Sequence, residues 1–212
     1  QSGAELMVAD GIMDDVDVII GAHVDNSIDV GCIAVKKGVA MATSTALTVE
    51  FFGKTGHAAM PHTSIDALAM AVKTYNDIQM IISRELDPFE LRVINVGSLT
   101  AGETNNVVPD YAQMKLSIRT FSEKVENYIC SRIEDIVKNR AREVKGEYKI
   151  TLTKRLPAVN NDIKISDELL NSARKIVGEE NIIIFDKPKI SSEDFSFYSN
   201  KKPGCFFRYG SR

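Results

Sequence analysis

The histidines are the residues best suited to catalysis or metal binding in this chain, and the 212 residues contain only three of them. Two of them, His57 and His62, stand in the run Gly56-His57-Ala58-Ala59-Met60-Pro61-His62, and His23 follows an apolar segment nearer the start. Imidazole binds metal ions and polarises carbonyl groups near neutral pH. Histidines found only at loops and at the ends of elements therefore indicate hydrolytic or metal chemistry.

His23 is the strongest candidate for a metal ligand. The run VDVIIGA over residues 16–22 predicts a buried, parallel strand, and His23 comes at its carboxyl end, where α/β sheets carry their ligands. The alternative is a polar residue that merely leaves the sheet. No other Cys or His stands at ligand spacing near it, so we expect any remaining ligands to lie outside this chain.

His57 and His62 lie in a loop between a predicted strand and a predicted helix. Gly56 and the small residues after His57 allow a close backbone approach, and the His57 imidazole could donate a hydrogen bond to a developing oxyanion. The alternative for His57 is a loop histidine that satisfies local backbone groups. His62 stands where it could bond the N-terminus of the following helix, which would be a structural role.

Other polar residues could bind a substrate, although each is a weak signal alone. Asn106 is in a predicted turn, where it could simply make local bonds. Arg119 is on one face of an alternating strand, where its guanidinium is either solvated or forms a planar fork for a carboxylate. Ser192 opens a polar turn in which Glu193 and Asp194 could act as base or ligand, or could cap the helix that follows.

The elements that must position these residues follow a βαββαβ order in the middle of the chain. Alternating strands are predicted at 46–52, 91–99, 111–121 and 148–152, and amphipathic helices at 64–84 and 122–144. Thr63 and Asp66 resemble a capping box, with Ile65, Leu68, Ala69 and Val72 as the apolar stripe of the first helix. This order is the ferredoxin-like signature, which we assign to a self-contained domain of residues 46–155.

An α/β pattern stands on both sides of that domain. Before it come a short helix at 4–13 and strands at 16–22 and 31–35. After it come a helix capped by Ser166 and ended by Gly178, a buried strand at 182–185 and a core strand at 205–207. We therefore predict an α/β fold, with residues 1–45 and 156–212 forming one domain that is interrupted by an inserted α+β domain.

The composition excludes several classes of function. The formal net charge is −3 and no basic stripe is present, which argues against nucleic acid as a partner. No apolar run approaches the ~20 residues of a membrane span, so we expect no membrane partner. The three cysteines are scattered and odd in number, which is typical of reduced cysteines in a cytoplasmic protein.

Taken together, five motifs occur in the order seen in the M20 metallopeptidase family. They are Gly21-Ala22-His23-Val24, the His57 run with Asp66, Asn106-Val107-Val108-Pro109-Asp110, Ile118-Arg119-Thr120-Phe121 and Ser192-Glu193-Asp194-Phe195. The chain most resembles the amidohydrolase branch, which includes hippurate hydrolases, N-acyl-amino-acid amidohydrolases and auxin-conjugate hydrolases. The resemblance covers essentially all 212 residues.

The resemblance implies a zinc-peptidase-like α/β catalytic domain with an inserted ferredoxin-like lid that often mediates homodimerisation. It implies that His23 is a ligand of a two-metal centre holding zinc or manganese, and that His57 stabilises the oxyanion, in some members across a dimer. It also implies a small N-acyl amino acid or peptide substrate. The residues that match substrate-binding positions are Asn106, Arg119, His62, Ser192, Glu193 and Asp194.

Departures from the family pattern predict an incomplete enzyme. A Cys-x-His metal motif and a paired Glu motif belong upstream of residue 1, and a final ligand histidine belongs beyond Arg212. We therefore expect a fragment that is inactive alone and could lack bound metal, derived from a metal-dependent amidohydrolase. The alternatives are a dipeptidase or carboxypeptidase of the same family, or a non-catalytic dimerisation or binding module. A ferredoxin-like RNA-binding module would need exposed aromatic residues and a basic face.

Overall fold

The computed structural model describes residues 2–212, which form five α-helices and twelve strands. In chain order these are α1 (Gly3–Ala9), β1 (Ile19–Asp25), β2 (Ile33–Val35), β3 (Gly38–Met41), β4 (Ser44–Phe52), β5 (Gly56–His57), α2 (Ala67–Met80), β6 (Arg92–Ala101), β7 (Val107–Val108), β8 (Tyr111–Thr120), α3 (Glu123–Glu143), β9 (Glu147–Leu156), β10 (Val159–Asn161), α4 (Ile163–Val177), β11 (Ile182–Ile184), α5 (Ser196–Ser199) and β12 (Gly204–Gly210). No helix among these residues combines the length and the apolar character that crossing a membrane requires.

The chain divides into two compact units. Ser44–Arg155 forms one of them. The described residues up to Thr43, together with Leu156–Arg212, form the other. The first unit is therefore inserted, in sequence, between the two parts of the second.

The inserted unit has the ferredoxin-like fold that the sequence predicts. Its sheet has the order β6-β8-β4-β9, and β8 runs antiparallel to both β4 and β6. The alternating residues Met114, Leu116 and Ile118 of β8 are buried, as expected for a strand that packs one face against helices. Buried side chains of α2 and α3 complete the same core.

The two helices of this unit begin at side-chain caps. Ser122 accepts a hydrogen bond from the backbone N–H of Val125 at 3.4 Å and starts α3, whose stripe of Ile129, Ile133 and Val137 is fully buried. Asp66 accepts from the N–H of Ala69 at 2.9 Å and starts α2. The helix predicted at 64–84 therefore begins later, at Ala67, and it continues after α2 as a π turn over Ile81–Glu85.

The apolar stripe predicted for α2 was wrong. Leu68 and Val72 are exposed, and the buried face consists of Ala67, Met70, Ala71, Thr74 and Ile78. The helix carries apolar residues around most of its circumference, so their spacing alone does not identify which side meets the sheet. An exposed apolar stripe therefore remains on the outside of the helix.

The other unit contains a four-stranded sheet of order β1-β12-β2-β11 and a two-stranded sheet of β10 and β3. β1 runs parallel to β12, as predicted, but it was wrong to expect β1 to be buried. β1 lies at the edge of the sheet, where Ile20 and Val24 are exposed. α4 begins at Asp162, which accepts from the N–H of Ile165 at 3.0 Å, and Ser166 is buried inside the helix instead of capping it.

One buried carboxylate ties α3 to the strands of the inserted unit. Glu126 is 1% exposed, and it accepts hydrogen bonds from the Thr45 hydroxyl on β4 and from Arg155 Nη2 on β9 at 3.1 Å. A carboxylate removed from water must keep its partners, because desolvation without them is costly.

We expect Arg155→Met to lower the free energy of unfolding by about 2 kcal/mol, because the buried Glu126 charge loses its cation. Urea denaturation of the full chain measures this change. Lys154→Met, at the adjacent exposed position, is the matched control and should change stability little. If Arg155→Met and Lys154→Met changed the free energy of unfolding equally, the Arg155–Glu126 ion pair would have no special role in stability.

Candidate functional site

His57 and Asn106 are brought together by a short two-stranded ribbon. β5 pairs antiparallel with β7, with Gly56 opposite Val108 and His57 opposite Val107. The N–H of Ala58 donates to the carbonyl of Asn106 at 3.0 Å, which extends the ribbon by one bond. Two residues that are about fifty positions apart in sequence therefore lie side by side.

Backbone hydrogen bonds fix the base of the ribbon, and they require a glycine at position 53. Lys54 and Ile65 exchange two hydrogen bonds of 2.9 Å, and the N–H of Gly53 donates to the carbonyl of Asp110 at 2.7 Å. A Cβ on Gly53 would lie 2.1 Å from the carbonyl oxygen of Ile65. Only a residue without a side chain permits this approach, so Gly53 determines where the ribbon leaves the sheet.

The ring of His57 is held in one tautomer by the backbone. The N–H of Ala59 donates to His57 Nδ1 at 3.1 Å, so this nitrogen carries a lone pair. In the neutral ring the proton must then be on Nε2. His57 is exposed, and its Nε2–H is thus a hydrogen-bond donor for a group that approaches the ribbon.

Asn106 is oriented in a similar way. The Thr104 hydroxyl donates to Asn106 Oδ1 at 3.1 Å, and this occupies the acceptor end of the amide. The amide nitrogen retains its two donor hydrogens on an exposed residue. The ribbon therefore carries two oriented N–H donors, one from imidazole and one from a carboxamide.

His62 lies in the turn Pro61–Thr63 and is exposed. The N-terminus of α2 is capped by Asp66, so His62 does not serve as its cap. The structure thus leaves its predicted role as a substrate-binding residue untested.

Arg119 lies far from the ribbon within the same unit. It is near the end of β8, opposite Val93 on β6, and it is half-buried on the face that the helices do not cover. The ribbon adjoins Tyr111, at the start of β8. At about 3.3 Å per residue, eight residues of strand separate the Cα atoms of Tyr111 and Arg119 by about 26 Å.

His23, in the other unit, has the chemistry of a metal ligand. Its Nδ1 lies 2.6 Å from the carbonyl oxygen of Val24, an acceptor, so Nδ1 carries the proton and Nε2 keeps its lone pair. The residue lies inside β1, which runs on to Asp25, and does not end the strand as predicted. Among residues 2–212, no group of three or more His, Cys, Asp or Glu side chains could hold a metal ion, so His23 would need ligands from elsewhere.

The segment Ser192-Glu193-Asp194 makes structural contacts in this unit. Asp194 Oδ2 accepts from the N–H of Ala4 at 3.3 Å, in the first turn of α1, a helix that is far away in sequence and has Ser2 as its N-cap. Glu193 Oε1 accepts from the N–H of Asp194 at 3.1 Å. These bonds fix the course of the segment, while its predicted contact with a substrate is not tested by the structure.

A buried charge cluster beside this segment was missed by the sequence analysis. Asp25 is 7% exposed and binds Lys189 Nζ at 2.7 Å, Arg208 Nη1 at 3.4 Å and the Ser27 hydroxyl at 2.6 Å. Lys189 and Ser27 hold the pKa of the Asp25 carboxyl well below its usual range. The partners are up to 183 residues apart, so no local pattern could reveal them.

These features define a class of protein that has a zinc-peptidase-like α/β fold interrupted by a ferredoxin-like unit. The chain belongs to the M20 peptidase family, since residues 36–145 match the family's peptidase dimerisation domain. The predicted family and fold class are thereby confirmed.

Curated relatives of this family are similar to nearly the whole chain. N-acetyldiaminopimelate deacetylase of Bacillus subtilis is 32% identical over 99% of this chain and 56% of its own length. Thermostable carboxypeptidase 2 of Saccharolobus solfataricus is 31% identical over 99% of this chain and 53% of its own length. The chain spans about half the length of the curated relatives it matches.

Solved structures share the fold. The aminobenzoyl-glutamate utilization protein of Klebsiella pneumoniae superposes with a TM-score of 0.81 at 22% identity, covering 97% of this chain and 53% of that one. Bacillus subtilis YxeP, described as a dinuclear metal-binding peptidase of the M20 family, gives a TM-score of 0.79 at 23% identity, covering 99% and 52%.

We expect Gly53→Ala to destabilise the chain by more than 2 kcal/mol and to change the amide chemical shifts of His57 and Ala58, because the new Cβ must displace the carbonyl of Ile65. Urea denaturation and ¹H–¹⁵N spectra measure the two effects. Gly97→Ala is the control, since its Cβ would meet only the end of the Asn95 side chain at 3.5 Å. A ribbon spectrum that Gly53→Ala leaves unchanged would contradict this account.

Asp25→Asn should cost about 2 kcal/mol of stability at neutral pH, because Lys189 and Arg208 lose their counter-charge. The folded pKa of Asp25 is depressed, so the stabilisation is fully present above the ordinary carboxyl pKa and is lost as the pH falls through the folded value. The gap between variant and wild type should therefore narrow below about pH 4. Asp29→Asn, which removes an exposed ion pair with Arg212, is the control and should have little effect at any pH.

Proposed function

We propose that this chain is part of a metal-dependent amidohydrolase that cleaves the amide bond of N-acyl amino acids or related small conjugates. The observation that carries the proposal is the ribbon, which presents the His57 Nε2–H and the Asn106 amide as oriented donors on one exposed edge. Oriented donors of this kind stabilise the negative charge that develops on the oxygen of an amide under attack. Amidohydrolase, deacetylase and carboxypeptidase relatives support the same class of reaction.

Each candidate residue has a proposed role. His57 donates to the developing oxyanion, Asn106 holds the polar end of the substrate, and Arg119 binds its free carboxylate as a planar fork. In the inserted unit, His62 also binds substrate. In the other unit, Ser192, Glu193 and Asp194 bind substrate, and His23 supplies one metal ligand through Nε2. Two divalent ions, zinc or manganese, would supply an acidified water and charge stabilisation when bound.

We propose that Arg119 and His57 serve one substrate from two different copies of the chain. Within one copy, Arg119 lies about 26 Å of strand from Tyr111, where the ribbon with His57 adjoins β8, and this exceeds the length of a small N-acyl amino acid. In a two-fold dimer joined through antiparallel β6 edges, the partner's β8 would run in the opposite direction to the first. Its Arg119 end would then lie beside the ribbon, three strand spacings or about 14 Å from the first β8.

The surface for such a homodimer is the outer face of β6 and α2. β6 is an edge strand of its sheet, and α2 packs on the same sheet. Leu68, Val72 and Tyr75 form an exposed apolar stripe at positions i, i+4 and i+7 of α2. An exposed apolar stripe beside a free strand edge is typical of a surface that another chain covers.

We expect the full-length protein to release amino acids from a panel of N-acyl amino acids and dipeptides, and a chelator to abolish the release. Preference for dipeptides or C-terminal peptide bonds would identify the carboxypeptidase alternative. His57→Ala should lower kcat about 10²- to 10³-fold with unchanged metal content, because one oxyanion donor is lost. His23→Ala should instead lower metal content measured by atomic absorption. Unchanged turnover in His57→Ala, or full metal in His23→Ala, would contradict the assigned role.

Mixing two inactive variants tests the shared site. If His57 and Arg119 act across the dimer, His57→Ala and Arg119→Ala preparations that exchange subunits form mixed dimers with one intact site, and about a quarter of wild-type activity returns. Each variant mixed with itself is the control and stays inactive. No recovery after demonstrated exchange would assign both residues to the same copy.

A further inference from the structure

Phe89 is the most exposed large apolar side chain of residues 2–212, at 93%. It stands in the loop between the π turn after α2 and the start of β6. A fully exposed aromatic ring on a mobile loop would be unremarkable, since many apolar atoms remain at protein surfaces. The construction of this particular loop argues that the ring has a function.

The loop is held rigid by a single guanidinium. Arg92 Nη1 shares its two hydrogens among the carbonyls of Asp87, Pro88 and Glu90, at 3.1, 3.2 and 2.6 Å, and Arg92 Nη2 donates to the carbonyl of Ile82 at 2.8 Å. Asp87 also accepts from the N–H of Phe89 at 2.9 Å and from that of Glu90 at 3.0 Å. The ring of Phe89 is therefore presented on a fixed turn, as preorganised anchors of interfaces are.

A cleft of about 450 Å³ lies at the other end of β6. Residues of the end of β6, of the following turn and of β7 line it, among them Thr100, Ala101, Thr104, Val107 and Pro109. A phenyl ring is small enough to enter an open cleft of this volume, whose lining also includes Glu103, Asp110 and Tyr111. Val107, one wall of the cleft, is the residue opposite His57 in the ribbon.

We propose that Phe89 of one copy of the chain inserts into this cleft on a second copy. The inference rests on the homodimer proposed above and on the match of this unit to a dimerisation domain. Antiparallel pairing of the whole of β6 with its copy joins Arg92 of one chain to Ala101 of the other. This pairing places the loop that precedes β6, which carries Phe89, beside the turn that follows β6 in the other copy, and Thr104 of that turn lines the cleft.

The insertion connects dimer formation to the ribbon. A ring seated in the cleft packs against Val107 and thereby supports the strand that faces His57. Because the two-fold axis repeats the contact, each copy steadies the other copy's ribbon. Phe89 is thus a positioning residue that acts on His57 through the cleft wall.

Cross-linking of the full chain tests the contact directly. In a background of Cys32→Ser, Cys130→Ala and Cys205→Ala, we expect Phe89→Cys with Thr104→Cys to form an intermolecular disulfide under mild oxidation. Phe89→Cys with Thr48→Cys is the matched control, because Thr48 lies on β4 in the interior of the sheet, and it should remain reduced. Failure of the first pair to cross-link in a chain that sediments as a dimer would overturn the insertion.

Sedimentation equilibrium measures the strength of the contact. Phe89→Ala should raise the dimer dissociation constant about 10- to 100-fold, with Phe89→Leu intermediate, as for a buried aromatic anchor. Ile176→Ala, at an 82% exposed position of the other unit, is the control and should leave it unchanged. Faster hydrogen exchange at the amides of His57 and Val107 in Phe89→Ala, at concentrations where it remains dimeric, would support the effect on the ribbon.

The outcomes separate this inference from the dimer on which it rests. A wild-type chain that is dimeric, with a dissociation constant unchanged by Phe89→Ala, would overturn the insertion and leave the dimer standing. A chain that is monomeric at all concentrations would overturn both. A dimer weakened by Phe89→Ala and trapped by the Phe89–Thr104 disulfide would support both.

Discussion

The antiparallel pairing of β4 with β8 is the constraint on which the inserted unit depends. Its register, from Thr45 opposite Ile118 to Phe52 opposite Tyr111, determines which side chains lie beneath the helices and which lie on the open face. It also brings the end of β4 and the start of β8 to one place, where the ribbon with His57 leaves the sheet. Arg119 is carried to the opposite end by the same register. A slip of one residue would reverse every side chain of the strand.

Periodicity predicted the elements that have one apolar face. The buried residues of β8 follow a period of two and those of α3 follow the helical period, so both elements could be predicted from the sequence. Ile129, Ile133 and Val137 of the stripe predicted for α3 are buried, whereas Val144, which was also expected in it, is exposed. Periodicity did not predict the buried residues of α2, which is apolar on two sides, or those of β1, whose apolar run lies at a sheet edge. In both cases the sequence shows that the surface of the helix or strand is apolar but does not show which other part of the protein covers it.

Motif order proposed His57, Asn106 and Arg119 as site residues, and their roles stay predictions. The sequence did not show that His57 and Asn106 lie side by side, because this depends on a two-residue ribbon that is too short to have a pattern. The cluster of Asp25 with Lys189 and Arg208 joins residues far apart in sequence, and neither charge spacing nor helical period could anticipate it. Such contacts are products of the tertiary fold and not of local preference.

The bond that orients His57 is local, which allows the donor to be formed before any partner arrives. The N–H of Ala59, two residues away, holds the ring on an exposed ribbon without help from burial. A donor in contact with water stabilises charge weakly, because the high dielectric screens it. A second copy that covers the ribbon would remove this water without reorienting the ring. The hydrogen bond from His57 Nε2–H to a substrate would therefore become stronger only where both copies are present. In the proposed site, local bonds orient the donor and assembly of two copies excludes the water. Such a site can use His57 and Arg119 even though they lie near opposite ends of β8 within one copy.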